Sequence, residues 1–114
     1  MATYDVGDEA HLYVVFRDET GAQAEPSLVE LRIVKPGGLV LAGLVEAAEE
    51  ADLDLAGAFL GEELSSATGV YKTTVQVDSS GVWCYVWLAS GDVVAATPGW
   101  FDVRRERVGE VTTS

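Results

Sequence analysis

The side chains best suited to proton transfer or nucleophilic attack near neutral pH are few, because the chain has one histidine, His11, and one cysteine, Cys84. A hydrolase triad brings a nucleophile, an imidazole and a carboxylate together, and a zinc site of imidazoles and thiolates needs several such ligands. One of each assembles neither. His11 falls inside an alternating strand pattern and is expected to be an ordinary strand residue. Cys84 stands between Trp83 and Tyr85 with no basic neighbour in sequence to favour a thiolate, and is expected to be buried as a small apolar side chain. A lone cysteine also excludes an internal disulfide. Glu49, Glu50, Asp52 and Asp54 offer oxygens, and Asp52-Leu53-Asp54 has the acid spacing of part of a calcium-binding EF-hand loop. The rest of that loop is read as missing, with no glycine at its sixth position and Glu63 one residue late for its twelfth, so a solvated acidic face is expected there. Lys35-Pro36-Gly37-Gly38 lacks the spacing of a phosphate-binding loop. No catalytic, cofactor or metal residues are assigned, and the chain is expected not to be an enzyme.

The elements that would position these residues are strands. Residues 11–17 (HLYVVFR) place Leu12, Val14 and Phe16 on one face, and 18–22 (DETGA) turn the chain. Residues 28–34 (LVELRIV) alternate Val29, Leu31 and Ile33 against Glu30 and Arg32. The Lys35 to Gly38 turn then predicts a hairpin into 39–45. Tyr71, Thr73, Val75 and Val77 share a face of the next strand, and Asp78-Ser79-Ser80-Gly81 turns into VWCYVWLA. Ser90-Gly91-Asp92 leads to VVAAT, and 100–103 form a last short strand. The pattern predicts an all-β, immunoglobulin-like sandwich of about seven strands over residues 1–103.

Residues 46–66 break this rhythm with seven acids among alanines and leucines. Leu53, Ala56, Leu60 and Leu64 fall near helical spacing, while Gly57 and Gly61 interrupt it, so a helical or irregular acidic insertion is expected. Residues 104–114 form a basic and polar tail with Arg104, Arg105 and Arg107. Alone it would fray; it is expected to be held by a neighbouring subunit, its arginines against that neighbour's acidic insertion.

In the strand 81–88, Trp83, Tyr85 and Trp87 share one face and Val82, Cys84, Val86 and Leu88 the other. A strand apolar on both faces is buried on both. Trp83, Tyr85 and Trp87, with Tyr71, are assigned to the core. The opposite face is covered either by the insertion or by a partner.

The net charge of −12, from 19 acids against 7 basic residues, repels phosphate backbones and disfavours nucleic acid as a partner. No stretch approaches the roughly 18–20 apolar residues of a membrane span. No basic start followed by an apolar run opens the chain, so synthesis in the cytoplasm without a secretory leader is expected.

Three segments carry a family resemblance. Tyr4-Asp5-Val6-Gly7-Asp8 before an alternating strand, Ser66-Ala67-Thr68-Gly69-Val70-Tyr71, and Gly81-Val82-Trp83-Cys84-Tyr85-Val86-Trp87 together resemble small immunoglobulin-like virion proteins of tailed phages that infect actinobacteria. Their order and spacing cover nearly the whole chain. The resemblance implies a non-catalytic virion structural module, first a capsid decoration protein on the major capsid protein, alternatively a head-to-tail connector or tail component. It implies a multi-copy or homo-oligomeric state in the virion. Trp83 stands where such folds carry the ring of a tyrosine corner, a side chain bonded across a corner between strands. A sugar- or host-surface-binding module is a further alternative, since Trp83, Trp87 and Trp100 could stack on sugars. If the chain assembles, Trp100, Arg104, Arg105 and Arg107 are the candidate interface residues.

Overall fold

The computed structural model describes residues 3–91 and 93–104. Eight strands among them form two sheets, one of five strands in the order β1-β8-β7-β3-β4 and one of three in the order β2-β6-β5. The strands are β1 (Thr3–Asp5), β2 (Glu9–Val15), β3 (Leu28–Val34), β4 (Val40–Leu44), β5 (Glu46–Ala47), β6 (Val70–Gln76), β7 (Gly81–Ser90) and β8 (Ala95–Arg104). A single 3-10 turn (Glu50–Asp52) leads into helix α1 (Leu53–Leu60).

The expected alternations set which side chains lie between the sheets. Ala10, Leu12 and Val14 of β2, Val29, Leu31 and Ile33 of β3, and Trp83, Trp87 and Ala89 of β7 all point into one buried cluster, joined by Phe16, Tyr71 and Phe101. Tyr71 packs edge-on to Phe16, and Trp83 stacks on Phe101 with centroids 5.7 Å apart. These ring pairs add to the burial itself.

The expected hairpin from 28–34 into 39–45 is present as β3 and β4, paired antiparallel from Val34 opposite Val40 to Glu30 opposite Leu44. Two short strands were not expected. β1 runs parallel to the end of β8, and β5 pairs with β6 through only Glu46 and Ala47. The segments 93–97 and 100–103, expected as separate strands, belong largely to one ten-residue strand, β8. Proline removes a donor and normally breaks a central strand. Pro98 is tolerated because β1 reaches only Asp102 to Arg104, so β8 has a single strand neighbour at Pro98. Beside it the ring of Tyr85 lies over Gly99, its cross-strand partner. Arg104, read as the start of the tail, is the last residue of β8.

The acidic insertion is helical in part. Ala56 of α1 is fully buried and joins Tyr13, Ala48 and Val70 in a second apolar cluster, with Leu53, Leu60 and Leu64 packed against it. Gly61 ends the helix in the left-handed conformation (φ 71°), its N–H bonded to the Gly57 carbonyl, as helix ends favour. The helix lies on the outer face of the three-stranded sheet, against β2.

Candidate interaction surface

That position of α1 decides what happens at β7. The sequence reading buried β7 on both faces and offered the insertion as one possible cover. The insertion lies instead on the far sheet, so the outer face of the five-stranded sheet has no cover among the described residues. Cys84, expected to be buried, is exposed. The tryptophan face packs inward and the valine and cysteine face meets solvent, because a two-layer sandwich covers each sheet on one side only.

Strand register assembles this face row by row. Cys84 is opposite Trp100 on β8 and opposite Val34 on β3, and Val34 is opposite Val40 on β4. One row therefore reads Trp100, Cys84, Val34, Val40 across four strands. Trp100 is 50 % exposed, Val34 41 %, Val40 54 % and the neighbouring Val82 50 %. The next row reads Pro98, Val86, Arg32, Ala42. Its one charge, on Arg32, pairs with Glu30 of the same strand at 3.2 Å. Isolated apolar surface residues are ordinary, but a row of exposed apolar side chains across four strands, bordered on the same face by the Glu30–Arg32 pair, marks a contact surface.

Four strands spaced about 4.8 Å apart, with about six residues of about 3.3 Å along each, give this face an area on the order of 400 Å². That is the scale at which exposed patches on soluble proteins mark contact sites.

The assigned core aromatics behave differently from one another. Trp83 and Trp87 are almost completely buried, Tyr71 is buried, and Tyr85 is half-buried against the core. The Trp83 indole Nε1 donates to the Ser79 carbonyl at 2.9 Å, bridging the corner where the chain leaves β6 in one sheet for β7 in the other. An indole thus makes the bond that a phenol makes in a tyrosine corner. Lys35 Nζ lies 5.3 Å from the same ring centroid and pairs with Asp78 at 2.7 Å, which holds the Asp78 carboxyl below its usual range. The Trp87 indole nitrogen, by contrast, is buried without a partner. Of the candidate interface residues, Trp100 lies in the apolar row, Arg104 is exposed and pairs with Asp5 at 3.1 Å, and Arg105 and Arg107 lie outside the described residues.

On the opposite side of the molecule a cleft of about 530 Å³ opens between α1 and the three-stranded sheet, lined by His11, Tyr13, Asp52, Leu55, Lys72 and Thr74 among others. His11 Nδ1 is 3.1 Å from the Thr74 hydroxyl. Asp52 accepts from the Glu49 N–H at 2.8 Å and pairs with Lys72 at 3.0 Å. Both contacts, the backbone bond first, hold its carboxyl below the ordinary range. This carboxylate closes a helix start and takes up an ammonium on the neighbouring sheet, which are structural tasks.

The acidic segment also requires a correction. Counted from Asp52, Gly57 does occupy the sixth position of an EF-hand spacing and Glu63 the twelfth, so the sequence reading misplaced both. The fold nevertheless coils 53–60 into α1 and buries Ala56 at the fifth position, where the loop needs a side-chain oxygen. Among the described residues no three acidic, histidine or cysteine side chains stand close enough to hold a metal ion.

Sequence reasoning missed Gln23. Its side-chain amide donates to the Ser66 and Thr68 carbonyls at 2.8 and 2.9 Å and accepts from the Ser65 N–H at 2.8 Å, clamping the segment after α1 to the loop after β2. A glutamine among loop residues carries no local signal of such a role.

No family model matches this sequence, and no curated protein matches it significantly. Among solved structures, the chain is similar to the crystal structure of the Lin-41 filamin domain, with a TM-score of 0.54 and 18 % identity over 90 % of this chain and 82 % of that one. The fold is therefore an immunoglobulin-like β-sandwich, as the strand pattern predicted.

Proposed function

We propose that this domain is a non-catalytic structural module of a protein assembly, and that the outer face of its five-stranded sheet is one of its subunit contacts. The observation that carries the reading is the uncovered row Trp100, Cys84, Val34, Val40, apolar across four strands and backed by the buried core. Two further features support it. The only histidine is engaged with a threonine hydroxyl and the only cysteine lies on the opposite sheet from it, so the two side chains most able to do covalent chemistry are apart. Buried Trp83 and Trp87 leave Trp100 as the one tryptophan ring available to a ligand, which suits an interface anchor better than a sugar platform of several rings.

The assembly is a phage virion, on the resemblance of the Tyr4 to Asp8, Ser66 to Tyr71 and Gly81 to Trp87 segments, and the module decorates its capsid shell. Quantitative mass spectrometry of purified particles against the major capsid protein tests this. Hundreds of copies per particle are expected for a shell protein; about a dozen or fewer would move the module to the connector or tail, and none would overturn the virion reading.

A further inference from the structure

We infer that the occupant of this face is a second copy of the chain, docked sheet on sheet about a two-fold axis. The inference rests on the docking reading above and adds the partner. Charge is the first argument. With a net charge of −12, two copies meeting through most of their surfaces set acid against acid. The outer face differs: Glu30 and Arg32 neutralise each other, and Asp102 lies at its margin, beside β1. Two copies can approach through this face without opposing like charges.

Shape is the second argument. Place a two-fold axis in the plane between two such sheets, along the strands and midway between β7 and β3. The operation reverses the strand order, so β8 faces the mate's β4 and β7 faces its β3. Each Trp100 indole then covers a Val40 of the mate, and each Cys84 a Val34. The largest side chain of the row meets an exposed valine on the narrow edge strand, and the smallest meets a valine. Two-fold contacts are self-complementary in this way, and aligned packing at about 10 Å is the ordinary arrangement of two sheets.

Area is the third argument. A face on the order of 400 Å² per copy, Glu30 and Arg32 included, is about half the roughly 800 Å² per partner of a standard interface and suits a weak, reversible pair, below about 1,200 Å² in total.

Sedimentation equilibrium of the purified chain across a concentration series tests the proposal. A monomer–dimer equilibrium is expected, and its association should strengthen as salt rises from about 50 to about 500 mM, because screening removes repulsion between the acidic copies and leaves apolar contact intact. Trp100→Glu and Val34→Lys should each weaken association about tenfold or more, whereas Leu55→Glu, on the exposed side of α1, should leave it unchanged. All three positions are solvent-exposed, and a far-ultraviolet circular dichroism spectrum matching that of the parent chain would confirm folding, since loss of the dimer by itself lowers the melting temperature. A chain monomeric at every concentration, a dimer weakened by salt, or a dimer indifferent to Trp100→Glu would overturn the second copy as occupant. A monomer whose Cys84 is still shielded in particles would do so while leaving the docking reading standing.

Discussion

Trp83 and Trp87 sit four residues apart on one strand face, equally buried, yet they hold the protein differently. Trp83 bonds the Ser79 carbonyl and receives Lys35 over its ring; the Trp87 nitrogen has no partner. Replacing either by phenylalanine removes similar volume, so the difference isolates the polar contacts. Trp83→Phe should cost about 1–2 kcal/mol more than Trp87→Phe in chemical denaturation. Gly69 makes a sharper prediction. Its φ is +75°, and a β-carbon there would collide with the Ala24 and Phe16 carbonyl oxygens. Gly69→Ala should therefore destabilise by about 2–3 kcal/mol or more. The facing of the tryptophans was readable from alternation alone, and so was Cys84 on the reverse face. Its exposure was not, because alternation says which side chains share a face and not what lies over it.

At the scale of elements, the long strands announced themselves through alternation and turn residues, and β3 with β4 follows the expected hairpin. What the alternation missed has physical causes. β1 and β5 are too short to show a period. Pro98 and Gly99 read as a break, but the open flank of β8 and the Tyr85 ring keep the strand continuous. The chain crosses to the sheet that receives α1 at Val45, the single residue between β4 in one sheet and β5 in the other, and no local pattern encodes that switch. The clamp by Gln23 is equally non-local. Gln23→Ala removes its bonds to Ser65, Ser66 and Thr68, and should cost about 1–3 kcal/mol. It should also speed amide exchange through 62–69 ahead of the strands, as expected of a subregion that opens on its own.

For the whole molecule, charge sets the response to acid. Asp18, Asp52 and Asp78 all have carboxyl pKa values held below the ordinary range, Asp18 chiefly by Thr20, Asp52 by the Glu49 N–H and Lys72, and Asp78 by Lys35. A group whose folded pKa lies below its unfolded one stabilises the fold above the unfolded value, near 3.9 for aspartate, and loses that contribution as pH falls through the folded value. Thermal melts should therefore lose stability below about pH 4. Above that point, titration from pH 7 toward the isoelectric point of about 4.2 reduces self-repulsion and should favour association. The central claim is that the outer face of the five-stranded sheet is the docking surface, and Cys84, the chain's only thiol, sits within it. The most direct test is the rate at which a maleimide labels Cys84, measured in the dilute chain and in the assembled state. The account predicts rapid labelling of the dilute chain and labelling slowed about tenfold or more on assembly, as burial of an interface centre requires; equal rates in the two states would contradict it.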